Sequence, residues 1–406
     1  MESSQLLILG NGFDVHCGLK SSYKDFFRSV ILDTAGESFG LYQLQAGVKG
    51  FWEGVLLEYY KINPENDYNW CNVEEIIKDI LWLIYYGEET ESANLHDGLW
   101  LEALSFISDG RDILDDRIYH DRPILRYVFV RIVKFFERLK FKGCTGREKL
   151  HLLSNQLLLE LKGLEKRFCK YLKNQIFNSK SATLNENYII NAINLLARLT
   201  VFAHYKFDKL DDAITGQDKK RLIDVFENLS DTYILSFNYT TIFDFLGVNK
   251  PCVYNNVHGK LCANQCAKDC KASSVIFGID DNLIQSQSNN SDLRLFSKTY
   301  RKMFSNEDPI ILLPPKDNKP IRIKFYGHSL SEADYSYFQS IFDYYDLYGN
   351  TNVSLVFYYS KGYEQQDAIY SLISEYGRSF TNKEQGKNLI HKLLLENRLQ
   401  IIEIND

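Results

Sequence analysis

Four polar clusters in this sequence carry the residue types that hold anions and move protons. The first is Gly10-Asn11-Gly12-Phe13-Asp14, at the end of the apolar run Gln5-Leu6-Leu7-Ile8-Leu9. A strand that ends in Gly-x-Gly and enters a helix builds a phosphate cradle. The glycines let backbone N–H groups approach an anion, and the helix adds its positive N-terminal end. The third glycine of the dinucleotide fingerprint is missing, since Val15 stands in its place and the next glycine is Gly18. That argues against an ordinary hydride-transferring dehydrogenase. A tight strand-to-helix turn with no ligand is the alternative at this loop. The other clusters are Ser236-Phe237-Asn238-Tyr239-Thr240, Asn256-Val257-His258-Gly259 and Tyr326-Gly327-His328-Ser329-Leu330. Each alone also reads as a polar turn or cap, because Asn, Gly and Ser dominate turns.

The elements that precede these clusters give them a common place. Gln5–Leu9, Thr232–Phe237, Cys252–Tyr254 and Ile321–Tyr326 read as strands, and each ends at one of the four clusters. Further strands are expected at Ser274–Phe277, Val353–Tyr358 and Leu399–Ile402. Helices fall between several of them: one from Ser331, where Ser331 and Asp334 have capping-box spacing, and others over Gln365–Tyr376 and Lys383–Glu396. Strands alternating with helices predict an α/β fold with a doubly wound, Rossmann-like parallel sheet. Ligands of such sheets lie beyond the carboxyl ends of the strands, so the four clusters converge on one crevice.

More than two hundred residues separate the first two strands, whereas a βαβ crossover needs about thirty. The intervening pattern is helical. Leu153, Leu157, Leu161, Leu164, Phe168 and Leu172 recur in steps of three and four, the period of one helix face. Similar periodicity surrounds Val73–Ile77 and Ile189–Phe202, and no proline occurs between Pro123 and Pro251. The expected organisation is an α/β core of residues 1–36 and 231–406 with an α-helical insertion at 37–230.

The 406 residues are 45 % hydrophobic and 25 % charged, the balance of a soluble globular protein. The net charge of −6 gives no general attraction to nucleic acid, although a local basic patch remains open. No apolar stretch is long enough to span a bilayer, and Glu2 with no basic segment before the first apolar run is unlike a signal peptide. Eight cysteines in such a chain are expected to be reduced thiols in a cytoplasmic protein. The 27 Tyr and 26 Phe are expected to fill the interior.

In order and spacing the clusters resemble the sirtuin-like NAD-binding fold, which has a Gly-x-Gly loop after strand one, a strand-end Asn, a His-Gly about twenty residues on and a later Gly-x-Ser. Here Asn238 and His258 are followed by Gly327-His328-Ser329. A closer resemblance, over nearly the whole chain, is to the AbiH family of bacteriophage abortive-infection proteins. It rests on Leu7–Asp14, Trp70 with Glu74, Phe237-Asn238-Tyr239, His258-Gly259, Phe277-Gly278-Ile279-Asp280 and Gly327-His328-Ser329-Leu330 with Asp334. The resemblance implies a phage-defence role with NAD as ligand or substrate. By position, Asn238 would orient a water or the nicotinamide ribose and His258 would act as the base. Gly10, Asn11, Gly12, Asp14, Gly327 and Ser329 would bind the rest of the cofactor. Cleaving the nicotinamide–ribose bond passes through an oxocarbenium-like state that needs positioning and electrostatic support, and a histidine titrating near neutrality suits the base.

Two departures from the sirtuin pattern stand out. The loop alanine is Asn11, and the Asp two residues after the strand-end Asn is Thr240. Protein deacylation loses weight, and NAD hydrolysis or NAD binding gains it. A nucleotide-binding sensor without turnover is the alternative; a nuclease-like effector is disfavoured by the acidic balance. A phage-derived trigger and self-association are open expectations. Asp14 and Asp280 are further carboxylates to test, each with the alternative of capping a helix or turn. Sirtuins carry zinc after their His-Gly, and here Cys262, Cys266 and Cys270 follow His258, with Cys252 before it. Paired zinc ligands usually sit closer, in two separated pairs, so reduced thiols are expected and zinc is not. His328 reads as a site residue or as a cap for the following helix.

Overall fold

The protein is described from a computed structural model. It covers residues 4–32, 50–62, 70–86, 98–111, 119, 121–138, 144–177, 184–201, 232–246, 253–261, 275–280, 291–304, 313–316, 319–331, 334–362 and 365–404. The chain divides into two compact units, Met1–Ser21 with Leu172–Val275 and Ser305–Asp406, and Ser22–Tyr171 with Ile276–Phe304.

The first unit is built on six strands, β1 (Ser4–Leu9), β2 (Thr232–Ser236), β3 (Val253–Asn256), β4 (Ile321–Tyr326), β5 (Val353–Ser360) and β6 (Leu399–Ile404). All five pairings are parallel, and the order across the sheet is β3-β2-β1-β4-β5-β6. The apolar runs explain the arrangement. Leu6 to Leu9 are all buried, as a strand with both faces covered requires. On one face Leu6, Ile8, Ile323, Phe325, Leu355 and Phe357 pack in one cluster with Phe338, Ile341 and Phe342 of the helix Tyr335–Tyr345, and with residues of the helices Gln366–Arg378 and Lys383–Leu395. On the other face the helix Glu186–Val201 covers β1. There Lys324 of β4 donates to Gln5 Oε1 at 2.8 Å and to the carbonyl of Leu199, in the last turn of that helix, at 2.7 Å. Burial pushes the Lys324 ammonium down to about 8.

The expected α/β parallel sheet is therefore present, and six of the seven expected strands belong to it. The seventh does not. Val275 to Gly278 belong to no strand, one bridge runs from Ile279 to Ser297, and Ser274 lies outside the described residues. The reason lies in side chains from elsewhere in the chain: Glu165 accepts from the Phe277 N–H at 2.8 Å, and Arg301 donates to the Phe277 carbonyl at 2.8 Å. Two side chains take the backbone groups a neighbouring strand would use.

The second unit is mainly helical. Its helices include Phe51–Ile62, Trp70–Tyr86, Leu99–Ser108 and Pro123–Arg138. The helix beginning at Gly146 buries Leu153, Leu157, Leu161, Leu164 and Phe168, as its periodicity predicts. Tyr23, Phe26, Phe168 and Phe277 form a contiguous aromatic cluster. Buried ion pairs join Arg301 to Glu165 through two bonds of 2.6 and 2.8 Å, and Lys298 to Glu74 at 2.6 Å. No described helix is long and apolar enough to cross a membrane.

Candidate functional site

The four clusters lie at the carboxyl ends of β1 to β4, in the first unit. The loop after β1 is held by the loop after β4. Gly10 N–H donates to the Tyr326 carbonyl at 3.0 Å, and Gly12 N–H donates to the Gly327 carbonyl at 2.7 Å. A Cβ on Gly10 would lie 2.3 Å from His328 Cα, one on Gly12 2.7 Å from Gly327 Cα, and one on Gly327 2.4 Å from the Phe13 nitrogen. Gly327 also has φ +67°, a left-handed conformation that glycine adopts without steric cost. These glycines are required by backbone meeting backbone. The N–H groups of Gly10 and Gly12, read from sequence as anion donors, are engaged by carbonyls of the same unit. Asn11 accepts from Ser21 Oγ at 2.7 Å through its side-chain carbonyl.

The ends of β2 and β3 are tied together in turn. Val257 N–H donates to the Ser236 carbonyl at 2.7 Å, and Asn256 Nδ2 donates to the carbonyls of Asn238 at 2.7 Å and Thr240 at 3.0 Å. This places Asn238 and His258 on neighbouring strand ends. Asn238 is 3 % exposed, and its Oδ1 is buried with no hydrogen-bond partner among the described residues. A buried carbonyl oxygen left in that state costs about 1–3 kcal/mol, which a bound donor would recover.

His258, 5 % exposed, is oriented by a carboxylate: its Nε2 lies 2.7 Å from Asp334 Oδ1. Asp334 Oδ2 lies 3.4 Å from His328 Nε2. The His328 tautomer follows from its other nitrogen, because Nδ1 accepts from the Leu330 N–H at 2.9 Å; the ring proton is on Nε2, facing the carboxylate. The expected capping box is thereby corrected. The helix starts at Tyr335, and Asp334 stands at its N-cap without a side-chain cap bond. Its carboxylate is committed to the two imidazoles. Phe237 packs edge-on against both rings. Leu330, at φ +57°, holds a strained conformation of the kind that costs about 1–3 kcal/mol and gathers at functional sites. Ser329, between two buried residues, is exposed.

Asp14 is buried in the same unit and accepts from Tyr188 at 2.8 Å and Thr240 at 2.6 Å. Burial pushes its carboxyl up to about 6, against the two hydroxyl donors. Thr240 thus has a partner in the β1 loop. Asp280 belongs to the second unit, where it is buried. Cys252, Cys262, Cys266 and Cys270 lie outside the described residues.

Sequence reasoning missed several partners. Asp334 appeared as a cap and as part of the AbiH resemblance, without the two histidines as its partners, and Tyr188 fell inside the expected helical insertion with no role of its own. His16 Nδ1 lies 3.1 Å from Ser360 Oγ, which is 2.7 Å from the Tyr326 hydroxyl, at the ends of β4 and β5. Strand-end position was the available signal for Tyr326 and Ser360; nothing in local sequence singles out His16.

Comparison with known families bears on this arrangement. The family described as bacteriophage abortive infection AbiH matches residues 6–359, a span that holds every residue of the strand-end cluster. The chain belongs to the AbiH family. Neither the curated proteins nor the solved structures yield a match. As an AbiH member the chain is an abortive-infection, anti-phage defence protein, and its strand-end cluster is the site whose chemistry needs explaining.

Proposed function

We propose that this AbiH protein binds NAD at the carboxyl ends of β1 to β4 and hydrolyses its nicotinamide–ribose bond. The observation that carries the reading is the His258–Asp334 pair at the end of β3, beside the strand that ends in Asn238 with its unsatisfied buried Oδ1. In the reaction, nicotinamide leaves the ribose carbon with the bonding electrons, a water oxygen adds to that carbon, and the water's proton goes to a base. His258 is that base, and Asp334 fixes its ring and stabilises the imidazolium that forms, as a buried carboxylate does for a catalytic histidine. Asn238 accepts a hydrogen bond from the water or from a ribose hydroxyl. The strand order supports the location, since sheets in the order 3-2-1-4-5-6 hold dinucleotides where the order reverses.

The fit is better at the ribose end than at the phosphate end. Gly10 and Gly12 already donate to Tyr326 and Gly327, so in this reading they contribute close packing, and Asn11 and the exposed Ser329 supply polar groups beside them. The test is nicotinamide release from NAD by the full chain, with and without phage lysate. His258→Ala and Asp334→Asn are expected to cut turnover by about 10²–10⁴-fold, the usual worth of a positioned base. Absence of nicotinamide under every condition sinks the hydrolase. A second reading, nucleotide binding without turnover, is favoured by the deep burial of Asn238 and His258. Saturable NAD binding with no nicotinamide released would decide for it.

A further inference from the structure

The second unit contains a cleft of about 250 Å³, lined in part by Phe51, Arg131, Lys134, Phe135, Arg138 and Glu160. The three cations occupy positions 131, 134 and 138 of one helix, spacings of three and four that set them along one side. The apolar side of that helix, including Val128, Ile132 and Val133, is buried. Against these three cations the lining offers one carboxylate, Glu160. That carboxylate is in use: it accepts from the Phe51 N–H and from Gln156 Nε2 at 3.2 Å, and lies 3.6 Å from Arg131 Nη2. Neither Lys134 nor Arg138 forms an ion pair among the described residues.

Three cations against one anion leave an excess of two positive charges, in a chain whose net charge is −6. A phosphate monoester carries about −1.5 to −2 at neutral pH, which matches that excess. Among the apolar lining residues Phe51 and Leu153 are buried, and the half-buried Phe135 offers the aromatic surface suited to the flat face of a base. The volume is below the roughly 300–1,000 Å³ of sites that take drug-sized ligands, which limits the occupant to mononucleotide size. We propose that this cleft binds a nucleoside monophosphate, its phosphate on Lys134 and Arg138 and its base against Phe135. The site is separate from the strand-end cluster and does not depend on the function assigned there.

The experiment titrates the full chain with each of the four common ribonucleoside monophosphates and with inorganic phosphate, by calorimetry at low salt. At least one mononucleotide is expected to saturate, and to bind at least about tenfold more tightly than phosphate, the equivalent of 1.4 kcal/mol. Lys134→Glu with Arg138→Glu, both at exposed positions, is expected to abolish binding while the unliganded melting temperature holds. If that variant does not fold, Lys134→Ala with Arg138→Ala takes its place. His258→Ala is expected to retain binding, which separates this cleft from the strand-end site. No saturation by any mononucleotide, equal binding by phosphate, or binding unchanged in the charge variants overturns the proposal.

Discussion

Asp14 joins three distant parts of the chain through one carboxylate, since Tyr188 and Thr240 both donate to it. Its carboxyl is raised from 3.8 to about 6, so the folded protein holds this proton over a range where the unfolded chain has released it. The sign follows: the contribution is fully present below about pH 4 and is lost as pH rises through 6. A rise of that size in a fully buried carboxyl is worth roughly 3 kcal/mol. Urea unfolding of the native chain and of Asp14→Asn, compared at pH 4 and pH 7, should show the native chain losing stability relative to the variant by an amount of this order. A difference independent of pH would contradict the assignment.

At the scale of elements, the segment Val275–Asp280 shows side chains overriding a strand-forming pattern. Glu165 anchors Phe277 and also pairs with Arg301. Glu165→Ala strands a buried guanidinium and is expected to cost about 3–5 kcal/mol, read by denaturant unfolding, with faster chymotryptic cleavage after Phe277. The same segment marks the limit of what was legible in the sequence. The strands β1, β2, β4 and β5 could be read because parallel strands buried on both faces are written as apolar runs. The helix from Gly146 could be read because its buried stripe repeats every three or four residues. Ser274–Phe277 is also an apolar run, and nothing local reveals that Glu165 and Arg301 claim its backbone. The start of the helix at Tyr335 was misplaced for a related reason: Asp334 has the spacing of a cap, but its carboxylate is spent on His258 and His328. At the site, Asn238 and His258 were legible as strand-end polar residues. Asp334 and Tyr188 in their observed roles were not, because those roles are made by contacts between residues far apart in the chain.

For the whole molecule, membership in AbiH sets the readout that matters, the survival of cells challenged with phage. If the strand-end cluster is the effector, Asp334→Asn should restore phage plating to the level of cells lacking the chain, with the amount of protein unchanged by immunoblot. The charge variant at Lys134 and Arg138 tests the other unit in the same assay. Protection that survives Asp334→Asn would move the search for the effector away from the sheet. The packing of Gly10, Gly12 and Gly327 has a consequence for how such chains are compared. A glycine fingerprint is usually taken as the mark of a ligand, yet here each glycine is demanded by the backbone of another loop. The three positions form a single contact code written far apart in the chain, and through evolution they should change together or not at all.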